Sequence, residues 1–184
     1  ADVAAPALYR DLVAPRHLPA RLLDDVRRFD WDDSTLKVNW ALDGPIPWTA
    51  AHARGAGTVH LGGNFAEVAY TESQRALGQM PHRPFVLVGQ QYLADPSRSA
   101  GGINPIWAYA HVPFGYPGDA TGAVVAQIER FAPGFRDRVV ATVSRGTDAI
   151  NTTPWGAKGF RTIGNSATYL GREVTVSQEQ TMDY

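Results

Sequence analysis

The chain has no cysteine among its 184 residues, which excludes disulfides, thiolate metal sites and cysteine nucleophiles. It also has no excess of one charge: 17 basic residues stand against 18 acidic ones, and no basic run is long enough to follow a phosphate backbone. Nucleic acid is therefore not an expected partner. No apolar run approaches the roughly 20 residues that a membrane-spanning helix needs, and the N-terminus lacks the apolar segment of a signal peptide. These absences predict a cytoplasmic protein without a membrane span.

The signatures of common catalytic and nucleotide sites are missing as well. Gly55 and Gly57 begin no G-x-G-x-x-G run, and neither Lys37 nor Lys158 follows a glycine-rich phosphate loop. No serine lies in a G-x-S-x-G turn. The five histidines match neither H-x-H nor H-E-x-x-H spacing, and adjacent carboxylates are better explained as cap or surface charges than as an acid–base pair. The sequence predicts no catalytic residue and no metal site.

What the chain does contain is a strand and a rigid turn in residues 27–48, around which the other segments are organised. Apolar residues alternate with Lys37, Asn39 and Ala41, which is the period of a strand with one buried face; they are Leu36, Val38, Trp40 and Leu42. Pro45 and Pro47 then fix φ and remove backbone donors, so the chain must leave the sheet here. The turn is therefore expected to hold Trp48 in a fixed position.

Helical and strand patterns alternate along the first 141 residues. Apolar stripes predict helices at residues 18–29, 64–78 and 119–131, the second with Asn64 and Glu67 at capping-box spacing. Strands are predicted at residues 36–42, 58–61, 85–91 and 106–111. Together they predict an α+β domain with a mixed, largely antiparallel sheet and helices packed on one face, the face that bears Val38, Trp40, Ala108 and Ala110.

The composition changes near Ala141. Residues 142–184 are rich in Thr, Ser, Gly and Gln, and their periodic piece is a candidate strand at residues 173–176. We therefore divide the chain into a domain at residues 1–141 and a divergent C-terminal extension or tail at residues 142–184. The extension could pack on the sheet, form a partly disordered end, or no longer encode the original fold.

The predicted strand at residues 106–112 has an unusual pair of faces. Small apolar residues alternate with Trp107, Tyr109 and His111, whose rings provide the apolar and hydrogen-bonding surface typical of a ligand pocket. The same rings could instead simply pack beneath another layer. With Asn39 of the central strand and Tyr92 at the end of its own strand, they form the candidate substrate-binding set: Asn39, Tyr92, Trp107, Tyr109 and His111.

Four segments carry a resemblance to a known family, and they occur in that family's order: FDWDDSTLKVNWALDGPIPW, RGAGTVHLGG, PFVLVGQQYLADPSR and IERFAPGFRDRV. Over about residues 1–140 the chain resembles the middle, substrate-binding portion of the phytoene dehydrogenase-like FAD-dependent oxidoreductases. The resemblance implies a mixed sheet with helices on one side and an apolar or amphipathic substrate between the sheet and the flavin. The opening ADVAAPALY resembles the point where such a chain leaves its FAD domain.

The departures from that family limit what the resemblance implies. The dinucleotide fingerprint and the C-terminal glycine-rich segment are absent, and the residues after about Thr142 do not resemble the family. FAD is implied for the intact family enzyme, whereas this chain alone is expected to bind no cofactor and to lack catalytic competence, because the hydride chemistry belongs to the flavin. The chain would then be a fragment or truncated form of the substrate-binding domain.

A second interpretation is a stand-alone, non-catalytic ligand-binding or interaction module derived from that domain. Under either interpretation the face once covered by a neighbouring domain is exposed. Exposed apolar patches of several hundred Å² tend to acquire partners, so we expect self-association through the exposed sheet face.

Overall fold

The computed structural model describes residues 5–29 and 33–146. The chain divides into two compact units, of which one comprises Thr35–Gly146 and the other includes Ala1–Ser34. The candidate strand at residues 173–176 and the role of the tail after Gly146 lie outside the described residues.

In the unit that contains Ala1–Ser34, α1 (Ala5–Ala7) continues into a π-helical turn at Leu8–Leu12. The second helix, α2 (Ala20–Arg27), has Pro19 at its N-cap and ends on a run of basic residues. Its predicted existence is correct, with bounds a little shorter than residues 18–29. Ion pairs one turn apart on its exposed side, such as Arg28 to Asp25 at 2.7 Å, stabilise it modestly.

The unit Thr35–Gly146, called the sheet unit, contains five strands and two α-helices besides short 3-10 helices, and its first strand begins one residue before the unit. The strands are β1 (Ser34–Leu42), β2 (Thr58–Leu61), β3 (Val86–Gly89), β4 (Asn104–Val112) and β5 (Val139–Arg145), in the order β2-β3-β4-β1-β5. The pairs β2–β3, β3–β4 and β1–β5 are antiparallel. The helices are α3 (Phe65–Ala76) and α4 (Thr121–Phe131). The α+β prediction is confirmed.

The core lies on the sheet face that the alternation in β1 predicted. Leu36, Val38, Trp40 and Leu42 are buried, whereas Lys37, Asn39 and Ala41 between them are only partly so. Trp40 is 3% exposed and meets Phe135 edge to face at 5.3 Å between ring centroids. This confirms the predicted register, since a slip of one residue would turn Trp40 away from the core.

The helical side of the core comes mainly from α4. This helix packs against β2 and β3, and its Val124 and Ile128 are fully buried. Among the described residues, no helix is both long and apolar enough to cross a bilayer.

The packing of α3 differs from the prediction. Asn64 caps the helix, its Oδ1 accepting a hydrogen bond from the Glu67 backbone N–H at 3.0 Å. The apolar stripe that predicted this helix included Phe65 and Leu77, but these residues are 88% and 74% exposed, and the buried residue is Thr71. The apolar-stripe prediction for Phe65 is wrong because polar contacts, rather than apolar ones, fix the rotation of this helix: Thr71 donates its hydroxyl to the Arg83 carbonyl at 2.9 Å.

Strand β5 was not predicted. It pairs with β1 from Lys37 opposite Arg145 to Leu42 opposite Val139, so it crosses the boundary that we placed after Ala141. No residue pattern predicts it, because β5 is exposed along almost its whole length, and a strand without a buried face shows no alternation of apolar and polar residues.

Candidate ligand-binding site

The candidate site is the sheet face opposite the core, called here the aromatic face. It is defined by Lys37 and Asn39 on β1, Trp107, Tyr109 and His111 on β4, and Leu87 and Gly89 on β3. In β4, Ile106, Ala108, Ala110 and Val112 are buried in the core, so the three ring residues between them project from the other side and are half-buried. The antiparallel register sets Leu87 opposite Tyr109 and Gly89 opposite Trp107.

The rings of β4 form a continuous row, of which the first pair is stacked and the second tilted. Trp107 and Tyr109 are nearly parallel, with 6.1 Å between centroids and 3° between planes. Tyr109 and His111 follow at 5.8 Å and 34°. Residues two apart on a strand share a face, and the row therefore presents an extended, partly polar aromatic surface.

A close approach of backbone and ring fixes the position of Trp107. A Cβ added to Gly89 would lie 2.3 Å from the nearest Trp107 ring atom, so the indole lies directly over the bare backbone of the neighbouring strand. Glycine is needed here because any side chain would displace the ring. Covering such a glycine with an aromatic ring also stabilises strand pairing, which is the structural alternative to a binding role.

The β1 end of the aromatic face carries polar groups. Lys37 Nζ lies 5.2 Å from the centroid of the Trp107 ring, within the range of a cation–π contact, and it donates a hydrogen bond to Asn39 Oδ1 at 2.8 Å. An ammonium and an amide therefore stand beside the aromatic row. The face as a whole is amphipathic.

The Tyr109 phenol of the row favours its neutral form. Burial raises the pKa of the Tyr109 phenol, which keeps it protonated and able to donate a hydrogen bond at neutral pH. His111 is half-buried beside it. Among the described residues, no group of three or more His, Asp or Glu side chains is arranged to hold a metal ion.

The structure places four of the five predicted residues on this face and one elsewhere. Asn39, Trp107, Tyr109 and His111 share the aromatic face, whereas Tyr92 belongs to the hydrophobic core cluster. Burial raises the pKa of Tyr92. Contrary to our expectation, Tyr92 does not share the face of Trp107. It lies in a short 3-10 helix at Gln91–Leu93 after β3 has ended, where the alternation of a strand no longer applies, and its ring packs in the core.

Sequence reasoning missed Lys37 and Gly89 as members of the face. Lys37 occupies the same alternating position as Asn39, so the strand period was a usable signal for it. Gly89 had no such signal, because its closeness to Trp107 depends on the β3–β4 register.

A buried amide holds the turn beyond β1. Trp48 is 2% exposed, and its Nε1 donates to Gln90 Oε1 at 3.1 Å. Gln90 Nε2 in turn donates to the carbonyls of Ala53 and Ala56 at 2.9 and 2.6 Å. The rigid turn thus delivers Trp48 to a defined place, as predicted, and Gln90 ties the following loop to the sheet.

A shallow cleft of about 350 Å³ lies apart from the residues of the aromatic face. Asp43 and Arg138 form an ion pair across it at 3.5 Å, so its charged groups partly satisfy each other. Its lining consists of Asp43, Pro47, Pro133, Gly134, Asp137 and Arg138.

The turn between β2 and α3 is the part of the described chain that most resembles a phosphate cradle, because Gly62 and Gly63 connect a strand to a helix N-terminus. It does not fit a flavin phosphate. The Glu67 carboxylate already occupies the space beside Gly63, and Phe85 fills the space beside Gly62. The negative charge of Glu67 and the Asn64 side-chain cap occupy the helix N-terminus, where a bound anion would lie.

One family model matches part of the chain: the GW (Gly-Tryp) dipeptide domain, over residues 136–184. This stretch begins just before β5 and continues into residues outside the described part of the chain. It contains no Gly-Trp dipeptide, since Trp155 follows Pro154. The search of curated proteins gave no match.

Proposed function

We propose that this chain is a substrate-binding domain of an FAD-dependent oxidoreductase of the phytoene dehydrogenase-like kind, and that the aromatic face binds an apolar or amphipathic small molecule. The supporting observation is the parallel Trp107–Tyr109 stack at 6.1 Å, on the sheet face opposite the core. The α+β arrangement agrees with what the resemblance implies for such a domain.

The aromatic face offers a ligand two kinds of contact. The stacked rings supply flat apolar area at little cost in conformational entropy, since each ring is already held in place by its neighbour or by Gly89. Lys37 and Asn39 supply a cation and an amide at one side, which suits a ligand with a polar or anionic end. The combination favours an amphipathic molecule over a purely hydrocarbon one.

In the intact enzyme, bound FAD would supply the hydride chemistry. This chain's own residues would bind and orient the substrate and exclude water from one side of it. We place this activity in the cytoplasm, in line with the absence of cysteine.

The test is a titration of the chain with an environment-sensitive apolar fluorophore, compared with Trp107→Ala and Tyr109→Phe. We expect Trp107→Ala to weaken binding about tenfold, because it removes one ring of the stack, with a loss of stability of only about 1–2 kcal/mol. Trp40→Ala, which empties a buried core site, should lower the free energy of unfolding by about 3–5 kcal/mol. Tyr109→Phe keeps the ring and reports on its hydroxyl alone.

Phe65→Ala is the matched control, because Phe65 is an exposed aromatic residue on α3 and its loss should leave probe binding unchanged. If Trp107→Ala destabilised the chain as much as Trp40→Ala while probe binding per folded molecule stayed the same, the rings would be packing residues only and the site assignment would be abandoned.

The second candidate is a stand-alone ligand-binding or interaction module without a flavin. The observation that favours it is the β2–α3 turn, which is filled by Glu67 and Phe85 rather than open to a phosphate. Size-exclusion chromatography with a separately produced, flavin-loaded FAD domain of a phytoene dehydrogenase-like enzyme separates the two: co-elution of the flavin absorption band with this chain supports the oxidoreductase. Probe binding without such co-elution supports the module.

A further inference from the structure

Strand β5 forms one end of the sheet, beyond β1. Six of its seven residues are exposed, among them Val140 and Val143 at 60% and 56%. Its regular pairing with β1 covers Ala141–Arg145, and the register shifts only at the Ala41/Leu42 step. Within the described residues, no strand adjoins its outer edge.

An edge of this kind is a template for strand addition. Alternate residues of an edge strand direct their N–H and C=O groups away from the sheet, where another strand can pair with them. Proteins usually protect such edges with lysine, proline or inward-pointing charges. β5 has none of these over Val139–Ser144, where the residues are Val, Val, Ala, Thr, Val and Ser, all compatible with strand pairing.

The charges at the two ends of β5 favour one orientation. Arg145 ends the strand, and Asp137 precedes it between Arg136 and Arg138. These two arginines form ion pairs with Glu129 and Asp43, so Asp137 is the charge left at this end. Antiparallel pairing of two copies would bring Arg145 of each copy to the end of the partner's strand near Asp137. Parallel pairing would set Arg145 beside Arg145 instead. Opposite charges across a strand pair stabilise it and like charges destabilise it.

We propose that β5 is a strand-addition interface whose occupant is the β5 of a second copy of this chain, paired antiparallel about a two-fold axis. The two five-stranded sheets would then form one continuous ten-stranded sheet. Such an interface is isologous, because both copies use the same strand. It is complete with two copies, because each copy's β5 is then occupied. This inference concerns the sheet edge and is independent of ligand binding on the aromatic face.

The first test is sedimentation equilibrium of the full chain over a range of concentrations, which should show a reversible monomer–dimer equilibrium. Ala141→Lys should raise the dimer dissociation constant about fivefold or more, since the two copies would bring like charges together near the axis. The matched control is Ala76→Lys at an exposed position near the end of α3, which should leave the dissociation constant unchanged. Thermal unfolding verifies that both variants fold.

The second test is a charge exchange that reports on orientation. Asp137→Arg and Arg145→Asp should each weaken the dimer about threefold to fivefold, because each places like charges at both ends of the pair. The double variant restores opposite charges and should recover the dimer to within about twofold of the unmodified chain.

A strict monomer at the highest soluble concentration would overturn the proposal. So would a dimer that neither Ala141→Lys nor the single charge variants weaken. A dimer lost with Trp107→Ala but not with Ala141→Lys would place self-association on the aromatic face, and a double charge variant no better than the singles would exclude the antiparallel arrangement. Apart from a dimer on the aromatic face, which would compete with the probe there, none of these results alters the outcome of probe or flavin binding, so the two proposals fail separately.

Discussion

Two tryptophans on adjacent strands show how position decides the role of a residue. Trp40 points into the core and meets Phe135, whereas Trp107 points to the other face and lies over Gly89. Both are large apolar side chains in strands of alternating pattern. Close packing in the core fixes the position of Trp40. The position of Trp107 depends on a single glycine on the neighbouring strand, Gly89.

At the same scale, Gln90 is the buried polar residue with the most connections. It is 1% exposed and satisfies the Trp48 indole N–H and two loop carbonyls. We expect Gln90→Leu to lower the free energy of unfolding by about 2–4 kcal/mol, because it leaves a buried donor and two acceptors without their partner. Urea unfolding monitored by tryptophan fluorescence measures the change.

Gln79→Leu is the control for this substitution, since Gln79 is exposed just after α3 and should change stability by less than about 0.5 kcal/mol. A Gln90→Leu variant as stable as the unmodified chain would mean that water replaces the amide without loss.

At the scale of elements, α3 is held by its ends more than by an apolar stripe. Its exposed side carries Phe65, Tyr70 and Leu77, and its buried contact is a hydroxyl, Thr71. A helix with so little apolar burial depends strongly on its cap and on its ionic contacts.

Removing the cap should therefore lower the stability of the sheet unit. Asn64→Ala is expected to destabilise the sheet unit by about 1 kcal/mol, because the Glu67 backbone N–H loses its acceptor. Asn64→Ser keeps an acceptor at the same position and should retain most of that stability. Thermal unfolding of the two variants measures the difference. Equal stability of the alanine and serine variants would show that the side chain of residue 64 does not cap the helix.

At the scale of the whole sheet unit, Glu67 joins three segments. It accepts hydrogen bonds from Arg83 at 2.8 Å and from Arg130 of α4 at 3.2 Å, while Arg130 also contacts Gln127. The Arg83 and Arg130 guanidinium groups hold the pKa of the Glu67 carboxyl below its ordinary value of 4.5. Glu67 thus links α3, α4 and the segment before β3.

This lowered pKa predicts the pH range in which Glu67 stabilises the fold. A carboxyl whose folded pKa is below its unfolded pKa contributes fully above the unfolded value and loses that contribution as pH falls through the folded value. The stability difference between the unmodified chain and Glu67→Gln should be constant from about pH 7 to about pH 5 and shrink below about pH 4.5. Denaturant unfolding at a series of pH values measures it. A difference independent of pH down to about pH 3 would contradict the assignment.

Local patterns in the sequence were enough to determine several features of this protein. The α+β class followed from the strand and helix patterns, including the cap at Asn64 and the prolines after β1. The period of β1 and β4 determined the core face and the common face of Asn39, Trp107, Tyr109 and His111. These patterns could do so because a strand's two faces follow from the parity of its residues and a helix start follows from the residues beside it.

Only the tertiary structure decided which segments face one another. The closeness of Gly89 to Trp107, the core position of Tyr92, the outward turn of Phe65 and the pairing of β5 with β1 all depend on register and on contacts between distant segments. Such contacts leave no period in the sequence. Strand β5 crosses the predicted boundary near Ala141 for this reason: β5 is exposed on both faces, and its place in the sheet comes from main-chain hydrogen bonds to β1, which do not depend on residue type.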